Sequence, residues 1–345
     1  MLASAVRDYA VNFGTSVGDR TVVVTNNDDA YRTAIAMKQA GLDVPAIIDT
    51  RLAAGPLASE AAALGIRILY GKAISLVHGC KRVTGVAICS QAGEGGGVLE
   101  EINCDVGAMS GGWSPVVHLW SHCGGKLIWD EGQSHFCPDP SRPPLGADGT
   151  GFVSTAGIAH GAMTTCDCLV NGHDAGAAAA KLAGAKGKGG KAAKGEAPVE
   201  AAMMPVWIMP QGAGYKLRSK MWLDYQNDVK VSDVQLAAQE GYESVEHTKR
   251  YTTLGMATDQ GKLSNINGLA VLSDALGQAI PATGTTTFRP PYTPISLGSI
   301  GGEARGDLFQ PLRKTPIHAW SDTNGAYWEP VGQWRRVYTY QRDDE

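Results

Sequence analysis

Apolar and polar positions follow a legible rhythm up to residue 110. Residues 1–13 carry apolar side chains at helical spacing and predict an amphipathic helix, with a turn at 14–18. The run TVVVT at 21–25 is β-branched throughout, the pattern of a buried strand. A polar turn at 26–29 leads into a helix over 30–40, stopped by Gly41, and a second strand is predicted at 44–49. Strand, turn, helix and strand at this spacing make one βαβ unit. A short helix at 58–64, a third strand at 66–70, a β-ribbon over 72–89 and a strand at 104–110 complete the region.

Further along, 152–157 (FVSTAG) reads as a strand and 162–180 as a helix. Residues 183–198 are rich in Gly, Lys and Ala without an apolar period, the composition of a solvated flexible linker rather than a basic binding patch. A helix is predicted at 232–239, with Ser232 as N-cap, Gln235 at capping-box spacing and Gly241 as the stop. Helices follow at 244–251 and 268–276, then an extended Thr/Pro segment at 283–294 and an aromatic, strand-like stretch at 320–340. The chain stops at Asp343-Asp344-Glu345 with no closing element in its pattern.

Composition narrows the function classes. A chain of 345 residues can hold two or three domains. Its net charge of −4 gives no electrostatic footprint for nucleic acid or an anionic membrane. No apolar run approaches the roughly 20 residues that span a bilayer, and the N-terminus has neither the basic leader nor the apolar core of a signal peptide. Seven cysteines, odd in number and scattered, suit a reduced cytoplasm better than a disulfide framework.

Two turns carry candidate chemistry. The first is Thr25-Asn26-Asn27-Asp28-Asp29-Ala30. A dinucleotide-binding turn uses glycines so that backbone amides reach a pyrophosphate. Here there is no glycine, and two carboxylates stand where a phosphate would approach, complementing the helix dipole themselves. Asp49 holds the position of a ribose-binding carboxylate, although an acidic residue after a strand is also common in turns. The physical reading is a dinucleotide-type fold with a degenerate site. The second turn, 156–164, has small residues that permit close approach of a phosphate or flavin edge, and they equally suit a plain strand-to-helix turn.

Other constellations are weaker. Cys166-Asp167-Cys168 has no partner pair at metal-site spacing and reads as structural. His118, His122, Cys123, His135 and Cys137 form a loose cluster whose spacings match no zinc pattern, so no metal site is assigned. No nucleophile elbow, phosphate loop or Cys-x-x-Cys pair is present, and no catalytic residue is assigned.

Five longer words carry a family resemblance: TNNDDAYRTA (25–34), SGGWSPVVHL (110–119), SVEHTKRYTTLGMATDQGK (244–262), GTTTFRPPYTP (284–294) and RKTPIHAW (313–320). On these words the chain resembles the alpha subunits of heterotetrameric sarcosine oxidases over nearly its whole length. The resemblance implies an α/β fold. Residues 1–182 would form part of a FAD/NAD(P)-binding Rossmann-like domain, and 183–200 a flexible linker. Residues 201–283 would form a small helical module, akin to a 2Fe-2S-binding domain. Residues 284–345 would begin an aminomethyltransferase-like, folate-binding domain.

The implied reaction is oxidative demethylation of sarcosine to glycine, yielding hydrogen peroxide and either formaldehyde or methylenetetrahydrofolate. The implied cofactors are NAD on this subunit, FMN at its interface with the beta subunit, FAD in the beta subunit, and tetrahydrofolate in a C-terminal domain. The implied partners are beta, gamma and delta subunits in the cytoplasm, with no nucleic acid and no membrane.

Within that frame Ala156, Gly157, Gly161, Ala162, Met163 and Thr164 are expected as one wall of the NAD site. Lys249 and Arg250, with the loop 255–261, are expected on the FMN side, and the two cations equally suit solvated charges at a helix end. The helical module resembles the cluster-binding domain of related amine dehydrogenases. Asp224 and Gln226 stand where those carry Cys-x-Cys, and Asp259 where a cysteine follows Gly-Met. Carboxylate and amide oxygens do not replace thiolates around iron and sulfur, so no iron–sulfur cluster is expected. The glycine-rich NAD motif and most of the folate domain are missing, so the chain reads as an internal fragment, inactive alone. A subunit of an amine or proline dehydrogenase and a non-catalytic scaffold stand as alternatives.

Overall fold

The computed structural model describes every residue except 188, 305, 309 and 343–345. One residue of the expected linker and the Asp-Asp-Glu ending therefore lie outside the described residues. The chain forms two compact units, Met1–Tyr292 and Thr293–Glu345.

The first unit begins with α1 (Ala3–Phe13), β1 (Thr21–Thr25), α2 (Asp29–Gln39), β2 (Ala46–Asp49), α3 (Leu57–Ala63) and β3 (Arg67–Tyr70). β4 (Lys72–Gly79), β5 (Val83–Ser90) and β6 (Glu100–Asn103) form an antiparallel sheet, and β7 (Val106–Ser110) returns to the first sheet. That sheet has the order β3-β2-β1-β7 with every pair parallel. All five residues of TVVVT are buried. Val23 packs with Ala30, Tyr31, Ala34 and Met37 of α2, while Val22 and Val24 meet Val86, Ile88 and Ile102 of the antiparallel sheet. Side chains alternate across a strand, so a sheet covered on both faces requires an unbroken apolar run.

α4 (His118–His122) and the hairpin of β8 (Leu127–Asp130) and β9 (His135–Pro138) come next, and the sequence pattern announces neither. The strand expected at 152–157 does not form. That stretch is irregular, Phe152 is exposed, and it enters a 3-10 turn at Gly157–His160 ahead of α5 (Thr165–Leu182). Two apolar residues followed by Ser, Thr, Ala and Gly offer too little surface to anchor a strand. α5 contains no buried residue.

The unit does not part at the linker. Beyond it the chain returns to the first sheet, where the Ala201 N–H donates to Asp28 and the Met204 N–H to the Asn26 carbonyl. α6 (Tyr215–Arg218), β10 (Trp222–Asp224), β11 (Val229–Lys230), α7 (Val231–Gln239), α8 (Val245–Thr252), α9 (Asn265–Ala275) and α10 (Ile280–Thr283) then enclose a core of Leu223, Val234, Leu254, Leu269 and Leu272. The N-cap of α7 is Lys230, whose N–H is accepted by the N3 carboxylate of Asp233 at 2.9 Å, rather than Ser232 with Gln235.

The second unit holds α11 (Leu297–Gly301), α12 (His318–Thr323) and the hairpin of β12 (Ala326–Val331) and β13 (Trp334–Tyr340). It starts at 293 rather than 284, and α12 occupies the front of the stretch expected as strand. No helix among the described residues is long and apolar enough to cross a membrane.

Candidate functional site

At the end of β1 the two adjacent carboxylates diverge. Asp29 pairs with Arg7 at 3.1 Å and Arg32 at 3.4 Å. Asp28 receives Arg51 Nη2 at 2.7 Å and the N–H groups of Gly55 at 3.1 Å and Ala201 at 2.8 Å. The same guanidinium donates to Asp49 through Nε at 3.0 Å and Nη2 at 2.8 Å, and Tyr31 Oη donates to Asp49 at 2.8 Å. Both carboxylates are fully buried and Arg51 is 5% exposed. Burial, with Asp49 beside it, pushes the Tyr31 hydroxyl above its usual range. Burial alone would lower Arg51, but its bonds to Asp49 and Asp28 outweigh that and hold it above the usual range. This turn is closed by its own counter-ion, and Asp49 is committed to the network rather than free for a ribose.

The second turn keeps two glycines in left-handed backbone, Gly157 (φ 62°) and Gly161 (φ 99°). Three of its amides are engaged. The Gly157 N–H donates to Asn171 Oδ1 at 2.7 Å, the Gly161 N–H to Ile158 O at 2.9 Å, and the Ala162 N–H to Gly157 O at 3.2 Å. Thr164 caps α5, its Oγ1 accepting the Asp167 N–H at 3.1 Å and donating to the Asp167 carboxylate at 2.6 Å. A carboxylate thus occupies the anion position at this helix start. The residues expected as an NAD wall lie together, with the amides of Gly157, Gly161 and Ala162 already bonded within the chain.

In the helical module Asp224, Gln226 and Asp259 hold the loops by hydrogen bonds. Asp224 Oδ1 accepts the N–H groups of Gln226 at 2.9 Å and Asn227 at 3.0 Å, and Oδ2 accepts the Gly255 N–H at 2.8 Å. Gln226 Oε1 accepts the Asp259 N–H at 3.1 Å, and Asp259 Oδ1 accepts the Gly261 N–H at 3.1 Å. Burial by itself would raise Asp224, but the amides of Gly255, Asn227 and Gln226 prevail and hold its carboxyl below the usual range. Gly255 is required here, because a Cβ would run into the Asn265 side chain and φ is 66°.

Beside this loop lies a cavity of about 190 Å³, lined by Lys249 and Arg250 of α8, Met256 and Gln260 of the loop, and Phe288 and Arg289 of the Thr/Pro segment, among others. Three cations face one carboxylate, that of Glu246. Glu246 stands 4.0 Å from Arg250 and 3.8 Å from Arg289, and it accepts the Thr287 N–H at 2.7 Å. The Arg250 and Arg289 side chains are 58% and 68% exposed, so these pairs are weak and leave both cations available. Phe288 and Tyr292 meet edge to face at 5.0 Å, with Lys262 Nζ over the Tyr292 ring at 4.0 Å. Such a site can take a phosphate by charge-assisted hydrogen bonds and set an aromatic face nearby. Lys249, Arg250 and part of the loop 255–261 line this cavity together with Arg289, to which the sequence reading gave no role. Its signal was a cation between Phe288 and a Pro-Pro pair.

Comparisons with known proteins bear on the same region. A profile of the sarcosine oxidase A3 domain matches residues 218–304, which include the cavity. The sarcosine oxidase alpha subunit of Corynebacterium sp. (strain P-1) is 37% identical over 354 aligned residues, covering 100% of this chain and 35% of that protein. The alpha subunit from Rhizobium meliloti (strain 1021) is 36% identical, with 100% and 33% covered. The chain is therefore homologous along its whole length to sarcosine oxidase alpha subunits, and it spans about a third of the length of the curated relatives it matches. Among solved structures, L-proline dehydrogenase from P. horikoshii superposes with a TM-score of 0.58 at 17% identity, over 84% of this chain and 51% of that one. That likeness speaks for the α/β fold alone.

Proposed function

We propose that this chain serves as the part of a sarcosine oxidase alpha subunit that supplies the cationic wall of a flavin site where a partner subunit docks. The observation that carries the reading is the cavity on the helical module, in which Lys249, Arg250 and Arg289 outnumber the single carboxylate of Glu246. These residues bind the flavin phosphate, and Phe288 and Tyr292 border it. At about 190 Å³ the cavity is smaller than the roughly 300 Å³ at which ligand pockets begin. It suits the phosphate end of FMN, with the ring system lodged against another subunit. FMN, when bound, supplies electron transfer to oxygen, giving hydrogen peroxide.

The rest of the activity follows the homology. Sarcosine is demethylated to glycine at the FAD of a beta subunit, and the methyl carbon leaves as formaldehyde or as methylenetetrahydrofolate. Gamma and delta subunits complete the assembly in the cytoplasm. NAD belongs to the subunit as a whole, because the engaged amides of the 156–164 turn do not favour a pyrophosphate there. No catalytic residue is assigned to this chain, and no iron–sulfur cluster to its module, where Asp224, Gln226 and Asp259 stand in the thiolate positions.

The test is co-purification with a beta-type partner, followed by flavin analysis and a peroxide assay with sarcosine and with proline. Sarcosine-dependent peroxide and bound FMN, lost in a Lys249→Ala, Arg289→Ala double variant, are expected. Peroxide from proline but not sarcosine selects the alternative reading as a proline dehydrogenase subunit. FMN retention untouched by the double variant would remove the cavity from the flavin site.

A further inference from the structure

The β8–β9 hairpin brings together residues that the sequence leaves scattered. Its register sets Asp130 opposite His135 and Ile128 opposite Cys137, so strand alternation puts Asp130, His135 and Cys137 on one face. A carboxylate oxygen, a ring nitrogen and the sulfur lie within 4.8 Å of one another. The other face carries Trp129 and Phe136, ring centroids 5.0 Å apart, and Phe136 packs against the module core, which fixes the hairpin in place.

Each of the three groups is oriented. Asp130 Oδ1 accepts the Gln133 N–H at 2.9 Å. His135 Nδ1 lies 3.2 Å from the Trp113 carbonyl, which makes Nδ1 the protonated nitrogen and leaves a lone pair on Nε2. His135 is 1% exposed, and its Nε2 has no hydrogen-bond partner among the described residues. Cys137 is a free, buried thiol, whereas Cys166 and Cys168 donate to the carbonyls of Gly195 and Ala162 at 3.1 and 3.2 Å. Gly161 leaves room for the sulfur, since a Cβ there would approach Sγ to 2.9 Å.

From this geometry we propose that Asp130, His135 and Cys137 form a zinc-type metal site, with Nε2, Sγ and a carboxylate oxygen as ligands and water in the fourth position. One nitrogen, one sulfur and one oxygen make a donor set that suits zinc and not the harder magnesium or calcium. The ligands of a tetrahedral zinc stand roughly 3.3–3.8 Å apart. Closing from 4.8 Å asks for about an ångström, which side-chain torsions at a hairpin end can provide. Binding releases the Cys137 thiol proton to solvent. The Nδ1 bond to Trp113 is the outer-shell contact that metal-binding histidines make.

The test is metal analysis and cobalt substitution on the full chain. About one zinc per chain is expected to survive dialysis, and cobalt exchange should give a thiolate-to-cobalt charge-transfer band. Cys137→Ser should abolish that band with far-UV circular dichroism unchanged, and His135→Gln should weaken zinc binding by at least roughly 10–100-fold. No retained metal and no cobalt band overturn the site. A band that persists in Cys137→Ser but vanishes in a Cys166→Ser, Cys168→Ser double variant overturns it as well. If Cys137→Ser does not fold, thermal unfolding of the unmodified chain decides. A midpoint raised by zinc and restored by chelator supports the site, and a midpoint indifferent to both rejects it.

Discussion

The nucleotide-type turn and the helical module both place a buried aspartate where related architectures receive something from outside, and they satisfy it differently. At the turn, Asp28 and Asp49 share Arg51, so two negative charges are met by one positive charge away from water. In the module, Asp224 is met by three backbone amides and the side-chain amide of Asn227, with no cation among the described residues. An internal counter-ion shuts a site electrostatically, because a ligand phosphate would have to displace a desolvated salt bridge. Amide donors hold loops in shape but consume no cation. The cations of the module therefore stay at the cavity wall, where Lys249, Arg250 and Arg289 remain open to an anion.

That contrast can be broken experimentally, most heavily at the turn. Arg51→Met strands two buried carboxylates and should cost about 3–5 kcal/mol of stability, read from the urea midpoint. A loss near 1 kcal/mol would mean that water, not Arg51, balances Asp28 and Asp49. Asp224→Asn removes a charged acceptor from three amides and should cost about 1.5–3 kcal/mol. The effect depends on pH. The folded carboxyl is held below its ordinary value, so its contribution is complete above an unfolded pKa of about 3.9 and is lost as pH falls through the folded value. Asp224→Asn and the unmodified chain should converge in stability on acidification below about pH 4.

Smaller effects are expected at the cavity. Lys249→Ala or Arg289→Ala should weaken FMN retention roughly tenfold each through loss of a charge-assisted bond, with stability changed by no more than about 0.5 kcal/mol. Glu246→Gln, the mildest change, relieves Arg250 and Arg289 of a weak partner and should tighten FMN about two- to fivefold. Looser binding in that variant would show that Glu246 positions the arginines rather than competing for them.

The parallel sheet and its helices were legible because their signal is local. TVVVT declares burial on both faces, and residues 30–40 and 232–239 carry helical patterns with glycine stop signals in a few consecutive positions. The 152–157 stretch misled for the same reason, since a short apolar start resembles a strand until no neighbour covers it. Lys249 and Arg250 were legible as cations at a helix end, but not as one wall of a cavity with Arg289, which lies 39 positions further on. The hairpin cluster was illegible because Asp130-x4-His135-x-Cys137 resembles no linear zinc pattern, and only cross-strand register makes its first and second members neighbours.

The sequence by itself determined the βαβ beginning, the glycine-free turn, the oxygen side chains at the thiolate positions and the family resemblance. All of these rest on residue identity and short-range periodicity. Tertiary structure alone decided that Arg51 folds back between Asp28 and Asp49, that Asp224 binds the Gly255 amide 31 residues away, and that three cations meet at one cavity. The physical reason is that hydrogen bonds and ion pairs act over a few ångströms in space. Sequence distance does not measure which groups the fold will bring that close.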